Sequence, residues 1–244
     1  MSYDSGNAYA YPVERPVSGQ AEAADRALFI RRVYAHLAGA ILVFVGLEYV
    51  LLRSIPQDKI VNLFFGGGSI GWLGIMLAFM AAGWIARTFA YSQTSRAMQY
   101  FGLGLYVVAQ AVIFLPLLAI ASNFVDQTVI PAAGILTLAV FGGLTIAVFV
   151  TRRDFSFLAP ILSVGMMIAL GVIVAASFIQ AFTLGLFFAF AMVALLSAYT
   201  LYYTSNVLLR YRTDQYVGAA LELFACVATL FWYILQILMS IDRR

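Results

Sequence analysis

Long apolar blocks separated by short polar breaks dominate the chain. Seven blocks, at residues 35–52, 70–88, 101–122, 129–150, 157–178, 184–203 and 216–239, are each close to the roughly 20 helical residues that cross a bilayer. None shows the short alternating segments of an outer-membrane barrel, and helices satisfy their own backbone polar groups, as the hydrocarbon core demands. The pattern predicts an all-α integral membrane protein with seven transmembrane helices. Residues 1–27 break the pattern. They carry Pro12, Pro16, four acids and the tyrosines Tyr3, Tyr9 and Tyr11, with no early apolar core of the kind a cleavable signal needs. They are expected to form a disordered cytosolic tail ahead of a membrane domain over residues 28–244.

Composition supports the membrane reading. The 244 residues are 64% hydrophobic and 10% charged, with mean hydropathy +0.95, against roughly 45–50% apolar and about 25% charged in soluble domains. One cysteine, Cys226, and one histidine, His36, exclude an internal disulfide framework and a cysteine- or histidine-rich metal centre. No cofactor motif is present. The net charge of +3 does not point to nucleic acid here, because basic residues gather on the cytosolic side of a membrane protein. With the N-terminus in the cytosol, Arg15, Arg26, Arg31, Arg32, Arg87, Arg96, Arg152, Arg153, Arg210 and Arg212 fall inside. Arg53, Lys59, Arg243 and Arg244 fall outside. The expected orientation is therefore a cytoplasmic N-terminus. The outer placement of Arg243 and Arg244 leaves open a six-span alternative in which the last segment re-enters.

The break "TRRD" (residues 151–154) is the sharpest punctuation in the chain. Arg152 and Arg153 suit the negative end of the preceding helix dipole, and Asp154 suits the N-terminus of the next helix. "GGGSIG" (residues 66–71) lacks the lysine and hydroxyl of a phosphate loop and reads as a turn leading into a span. Gly39, Gly74, Ala78, Ala82, Gly142, Gly165 and Gly185 are expected at helix contacts. Tyr202, Tyr203, Tyr211 and Tyr216 fit an interfacial aromatic belt, and Gln110 and Pro116 fit packing and kink positions.

Ionisable groups inside spans are functional candidates. Glu48 lies near the outer end of the first span, within snorkelling reach of water and of Arg53. Glu222 lies about 9 Å into the last span at 1.5 Å per residue. It shares a face with Gly218, Cys226, Thr229 and Tyr233, a small and polar stripe that points toward the bundle. His36 and Tyr203 are its nearest expected partners by depth, with Tyr203 as hydrogen-bond donor. Glu222, Tyr203, Cys226 and His36 together make a candidate polar latch. No HExxH, GxSxG or intramembrane aspartate pair occurs, so no enzymatic activity is expected.

Three stretches resemble the transmembrane Bax-inhibitor-motif family. They are "FIRRVYAHLAGAIL" (residues 29–42), "TRRDFSFL" (residues 151–158) and "LYYTSNVL" (residues 201–208) followed by "YVGAALELFACVATLFWYILQIL" (residues 216–238). The resemblance implies a seven-helix bundle with the last helix central. Calcium-leaking members of that family carry two aspartates that share a proton as a pH-dependent latch. Those positions match Tyr203 and Cys226 here, and the second-span arginine that partners the latch has no clear match near Trp84. Without the two aspartates, "TSN" (residues 204–206) is closer to the bacterial YccA-type branch. That branch implies a bacterial inner-membrane location and a non-enzymatic partner of an FtsH-type membrane protease assembly, with a cation (calcium) leak channel or transporter as the alternative.

Overall fold

The structure, a computed structural model, describes residues 17–93, 95–124, 128–178 and 185–242. Residues 1–16 of the expected tail, Arg15 among them, and the terminal pair Arg243 and Arg244 lie outside the described residues. The elements are α1 (Ala23–Ser54), α2 (Gln57–Phe65), α3 (Gly68–Ala90), α4 (Arg96–Phe124), α5 (Val129–Thr151), α6 (Ala159–Phe178), α7 (Leu186–Leu209) and α8 (Tyr216–Asp242). Among the described residues there is no strand. One isolated bridge joins Val17 to Arg212. Seven helices are long and apolar enough to cross a membrane: all but α2. The last segment is one continuous helix of 27 residues, so the six-span alternative falls.

Helix α8 is the hub. It packs against α1, α3, α4, α5 and α7 and is buried over most of its length. The peripheral helices bury one stripe each. In α5 the stripe is Val129, Ala133, Thr137, Phe141 and Val148, the helical spacing of a single face. Ile135, Ile146 and Val150 on its other faces are exposed, apolar surface suited to lipid. The core between α1, α4 and α8 is aromatic. Phe44 meets Phe114 and Phe224 edge-on at 5.1 and 5.9 Å, and Phe114 meets Trp232 at 4.9 Å. Edge-to-face pairs add to simple burial.

Four expectations change. The membrane domain begins earlier than residue 28: α1 starts at Ala23, and Val17 to Ala21 are already docked. Ser18 Oγ donates to Val207 O at 2.8 Å, and Ser18 N donates to Tyr211 O at 2.8 Å. The segment turns on itself, Gln20 N and Ala21 N donating to Val17 O, and is fastened through Ser18 to the end of α7 and the α7–α8 linker, which its polar composition did not reveal. At 1.5 Å per residue the 32 residues of α1 span about 48 Å, well beyond a hydrocarbon core of roughly 30 Å.

Second, a short helix, α2, precedes the second span. It buries Ile60 and Phe64 against Leu115 and Ala119. Nine residues are too few to cross, so it escaped a search for spans. Gly68 turns the chain into α3 at φ +60°.

Third, the close helix contacts are largely at other glycines than expected. Side chains built at Gly39, Gly74, Gly142 and Gly185 would meet nothing within 4 Å, whereas one at Gly165 would meet Leu195 at 2.9 Å. The tightest approach is Gly102 of α4, where a Cβ would stand 2.5 Å from Ala86 O and Ala90 N of α3.

Fourth, Glu48 faces inward. It continues the buried stripe Phe29, Val33, Leu37, Ala40 and Phe44, is 5% exposed, and neither carboxyl oxygen has a hydrogen-bond partner. Arg53 lies instead over the Tyr49 ring at 4.3 Å.

Candidate functional site

The charged site of the bundle lies at the end that also carries the Arg152–Asp154 turn. Arg87 stands in the last turn of α3, where a cation suits the carbonyl end of the helix dipole. Glu222 stands in the second turn of α8. Arg87 Nε donates to Glu222 Oε1 at 3.0 Å. The Glu222 side chain is 7% exposed and that of Arg87 is 40% exposed, so one charge is enclosed and the other reaches the rim. Arg87 also lies over the ring of Tyr106 from α4, 5.2 Å from its centroid, a cation–π arrangement. Three helices thus meet at one guanidinium. The second carboxylate oxygen, Oε2, is buried and accepts no hydrogen bond.

Of the sequence-derived partners of Glu222, Tyr203 lies within electrostatic reach of it. Tyr203 is half-buried, stacks on Tyr199 at 5.8 Å and meets Tyr202 edge-on at 5.1 Å. His36 is half-buried: its Nε2 meets Tyr100 Oη at 3.2 Å and its ring stacks on Tyr100. Neither forms a hydrogen bond with Glu222 among the described residues. Cys226 follows one turn after Glu222 and is 4% exposed. Of the stripe Gly218, Glu222, Cys226, Thr229 and Tyr233, all but the half-buried Thr229 are buried, and α8 is buried on its other faces as well. Arg87 was missed as a partner because it sits one residue inside the block 70–88 and reads as a loop cation. Its position in the last turn of a span, within reach of an intramembrane acid, was the available signal.

A shell of polar contacts surrounds the pair. The ring of Tyr91 lies against Gly218, where a Cβ would come within 2.7 Å; glycine there admits the aromatic ring one turn below Glu222. Tyr91 Oη donates to Tyr211 Oη at 3.2 Å. Burial pushes both phenols above their usual range, so they remain neutral donors and acceptors. Tyr216 is 8% exposed, with Arg32 and Arg96 over its ring at 5.5 and 4.9 Å. The expected tyrosine belt is, in Tyr211 and Tyr216, part of this packed network.

The turn between the fourth and fifth spans and the end of the sixth span also converge. Phe155 N donates to Ser205 Oγ at 3.0 Å, and Ser205 Oγ donates to Arg153 O at 3.3 Å, so "TRRDF" and "TSN" lock together. Arg152 adopts a left-handed conformation at φ 50° and closes α5 through its N–H on Val148 O. Asp154 Oδ1 accepts from Ser156 N at 2.9 Å, and Oδ2 pairs with Arg210 Nη2 at 2.7 Å. The Arg210 guanidinium, helped by the Ser156 N–H, holds the Asp154 carboxyl down at about 2.

The profile of the Bax1-I family, inhibitor of apoptosis-promoting Bax1, matches residues 26–243. The chain belongs to this family. Its relatives include Protein LIFEGUARD 3 of Arabidopsis thaliana, 27% identical over 223 residues that cover 88% of this chain and 85% of that protein. The BI1-like protein of the same plant is 28% identical over 224 residues, covering 88% and 81%. A bacterial relative, the uncharacterized protein PA2604 of Pseudomonas aeruginosa, is 34% identical over 110 residues, 45% of this chain and 49% of that one. No solved structure matches the chain. As a Bax1-I family member it is an integral membrane protein.

Proposed function

We propose that this is a non-enzymatic, multipass membrane protein whose bundle forms a cation leak pathway. The pair Arg87–Glu222 closes it at the cytosolic end, the N-terminus being cytoplasmic. The carrying observation is the ion pair itself. A carboxylate enclosed on the central helix is unfavourable unless paired, and its one ionic partner is the more exposed Arg87, on a different helix. Such a contact has two states. Paired, it holds α3 against α8; broken, it leaves an acid facing the bundle interior where a cation can replace the guanidinium. The free Oε2 gives that cation a second oxygen. A site with one carboxylate discriminates weakly among cations, so selective calcium transport is not part of this reading.

Purified chain in liposomes tests it. Passive cation flux should be measurable, rise in Arg87→Gln, and fall in an Arg87→Gln, Glu222→Gln double variant. Liposomes that remain tight for all three chains would overturn the proposal.

A second reading is that the protein associates with and modulates an FtsH-type membrane protease in a bacterial inner membrane. The observation that favours it is the docked segment from Val17 to Ala21. It fastens the N-terminal arm to the α7–α8 linker, so a partner that grips the preceding residues would pull on the same end of the bundle that holds the ion pair. Recovery of a stable complex in mild detergent, from a protein whose liposomes are tight, would favour this reading over the first.

A further inference from the structure

A shallow groove of about 350 Å³ runs between α1 and α4 at the end of the bundle that carries Asp154. It begins at His36 and Tyr100 and continues to Val43 and Val107. Seven residues along each helix carry it about 10 Å into the apolar part of the two spans. Gly39 and Gly104 form its floor. A Cβ built at either position would meet nothing within 4 Å, so the space beside them holds no protein. Gly39, Val43 and Gly104 are exposed, and the slot is open to lipid.

The mouth of the groove is basic. Arg32 stands one turn before His36 on α1, and Arg96 one turn before Tyr100 on α4, the spacing that puts each pair on one helix face. Both guanidinium groups lie over the Tyr216 ring, 5.5 and 4.9 Å from its centroid, so one ring brings the two cations together. Neither has a carboxylate partner among the described residues. Arg96 donates to Gln99 Oε1 and Asp214 O, and the Asp214 carboxylate is taken up by Arg212. The uncharged groups at the mouth are committed to one another. His36 Nδ1 donates to Arg32 O at 2.7 Å, so in the neutral ring Nε2 accepts from Tyr100 Oη at 3.2 Å, and Tyr216 Oη donates to Tyr100 Oη at 3.3 Å. The donors left for a ligand belong to the two guanidinium groups, which suit a phosphate.

We propose that this groove holds a phospholipid with a net negative headgroup, its phosphate between Arg32 and Arg96 and one acyl chain along Gly39 and Gly104. Basic pockets between spans recognise anionic headgroups. A zwitterionic lipid brings an ammonium to the same two cations and gains less from them. The site is separate from the Arg87–Glu222 pair, and its occupancy does not depend on ion flux.

Native mass spectrometry of the full chain in a mild detergent tests it, with phosphatidylglycerol and phosphatidylcholine of identical acyl chains added in turn. The first phosphatidylglycerol should bind roughly thirtyfold more tightly than the first phosphatidylcholine, about fivefold for each arginine. Arg32→Gln combined with Arg96→Gln should bring the two lipids level. Arg153→Gln, which removes a cation from the same end but not from the groove, should leave the preference unchanged. Gly39→Leu combined with Gly104→Leu, which fills the empty space, should weaken the first binding of both lipids. Equal affinity for the two lipids overturns the proposal, as does a preference that survives the loss of both arginines. So does an Arg153→Gln effect as large as that of Arg32→Gln, which would show general attraction to a basic surface. A first binding unchanged in the filled groove would put the lipid elsewhere and overturn it too. Binding that appears only after removal of residues 1–16 would make that segment the occupant instead. Should the double arginine variant fail to fold, Arg32→Gln alone, at an exposed residue, decides, with an expected loss of about fivefold in preference.

Discussion

Arg87 Nε lies 3.0 Å from Glu222 Oε1, joining the last turn of α3 to the second turn of α8. The contact is asymmetric: the glutamate is enclosed while the arginine is part-exposed. Removing the cation therefore strands the more buried charge. Arg87→Gln should destabilise the folded bundle by about 1–3 kcal/mol, the penalty of an unmet buried polar group. Adding Glu222→Gln should return part of that loss, with a coupling of about 0.5–3 kcal/mol. Unfolding of the four chains in one detergent measures it, and strict additivity would show that the pair contributes nothing to holding α3 on α8.

Gly102 and Gly39 should respond in opposite senses to the same change. A methyl at Gly102 meets backbone atoms of α3 at 2.5 Å, and backbone cannot swing aside; a methyl at Gly39 meets nothing within 4 Å. Gly102→Ala is expected to lose about 1–3 kcal/mol through overpacking. Gly39→Ala is expected to be neutral or to gain up to roughly 1 kcal/mol from helix propensity. Thermal melting of the two variants in the same detergent provides the comparison.

Asp154 gives a pH dependence with a defined sign. Its folded carboxyl titrates at about 2, below the ordinary 3.8, because Arg210 and the Ser156 N–H favour the charged form. A depressed carboxyl contributes stability that is fully present above its unfolded value and is lost as pH falls through the folded one. The contribution should be complete above about pH 4 and vanish toward pH 2. The pair is part-exposed, so the effect is small and salt-sensitive. Melting of wild type and Asp154→Asn from pH 2 to 6 should show two curves that converge at the acid end. A gap that persists to the lowest pH would exclude the ion pair as its source.

The docked N-terminal segment separates two truncations. Ser18 Oγ and Ser18 N both bond to the α7–α8 linker region, and a Cβ at Gly19 would come 2.9 Å from Leu209 O. Removing residues 1–16 should leave stability unchanged. Removing residues 1–21 should lower it, and Ser18→Ala alone should lose about 0.5–1.5 kcal/mol. Protease resistance of the Arg210–Gln215 linker would report the same order.

Hydrophobic periodicity in the sequence was enough to determine the class and the seven spans. An apolar run near 20 residues has one stable solution in lipid, whereas the stripe read on α8 marks no single inward face, because the central helix is buried on nearly all sides. The break at residues 151–154 was equally legible, since charge between apolar blocks has to lie outside the hydrocarbon. Tertiary structure alone decided the partners. Tyr203 and His36 were plausible neighbours of Glu222 by depth, but depth is one coordinate, and which helix faces α8 at that level is set by packing. There the close approach of α4 to α3 at Gly102, and the seat that Gly218 makes for Tyr91, bring the end of α3 to the central helix. Arg87 therefore reaches the glutamate while His36 packs between Tyr100 and Tyr216. Glu48 followed the same logic in reverse: its position near a helix end suggested water, and the stripe it continues turned it inward. Pair identity depends on side chains more than a hundred residues apart in sequence, and local pattern carries no information at that range.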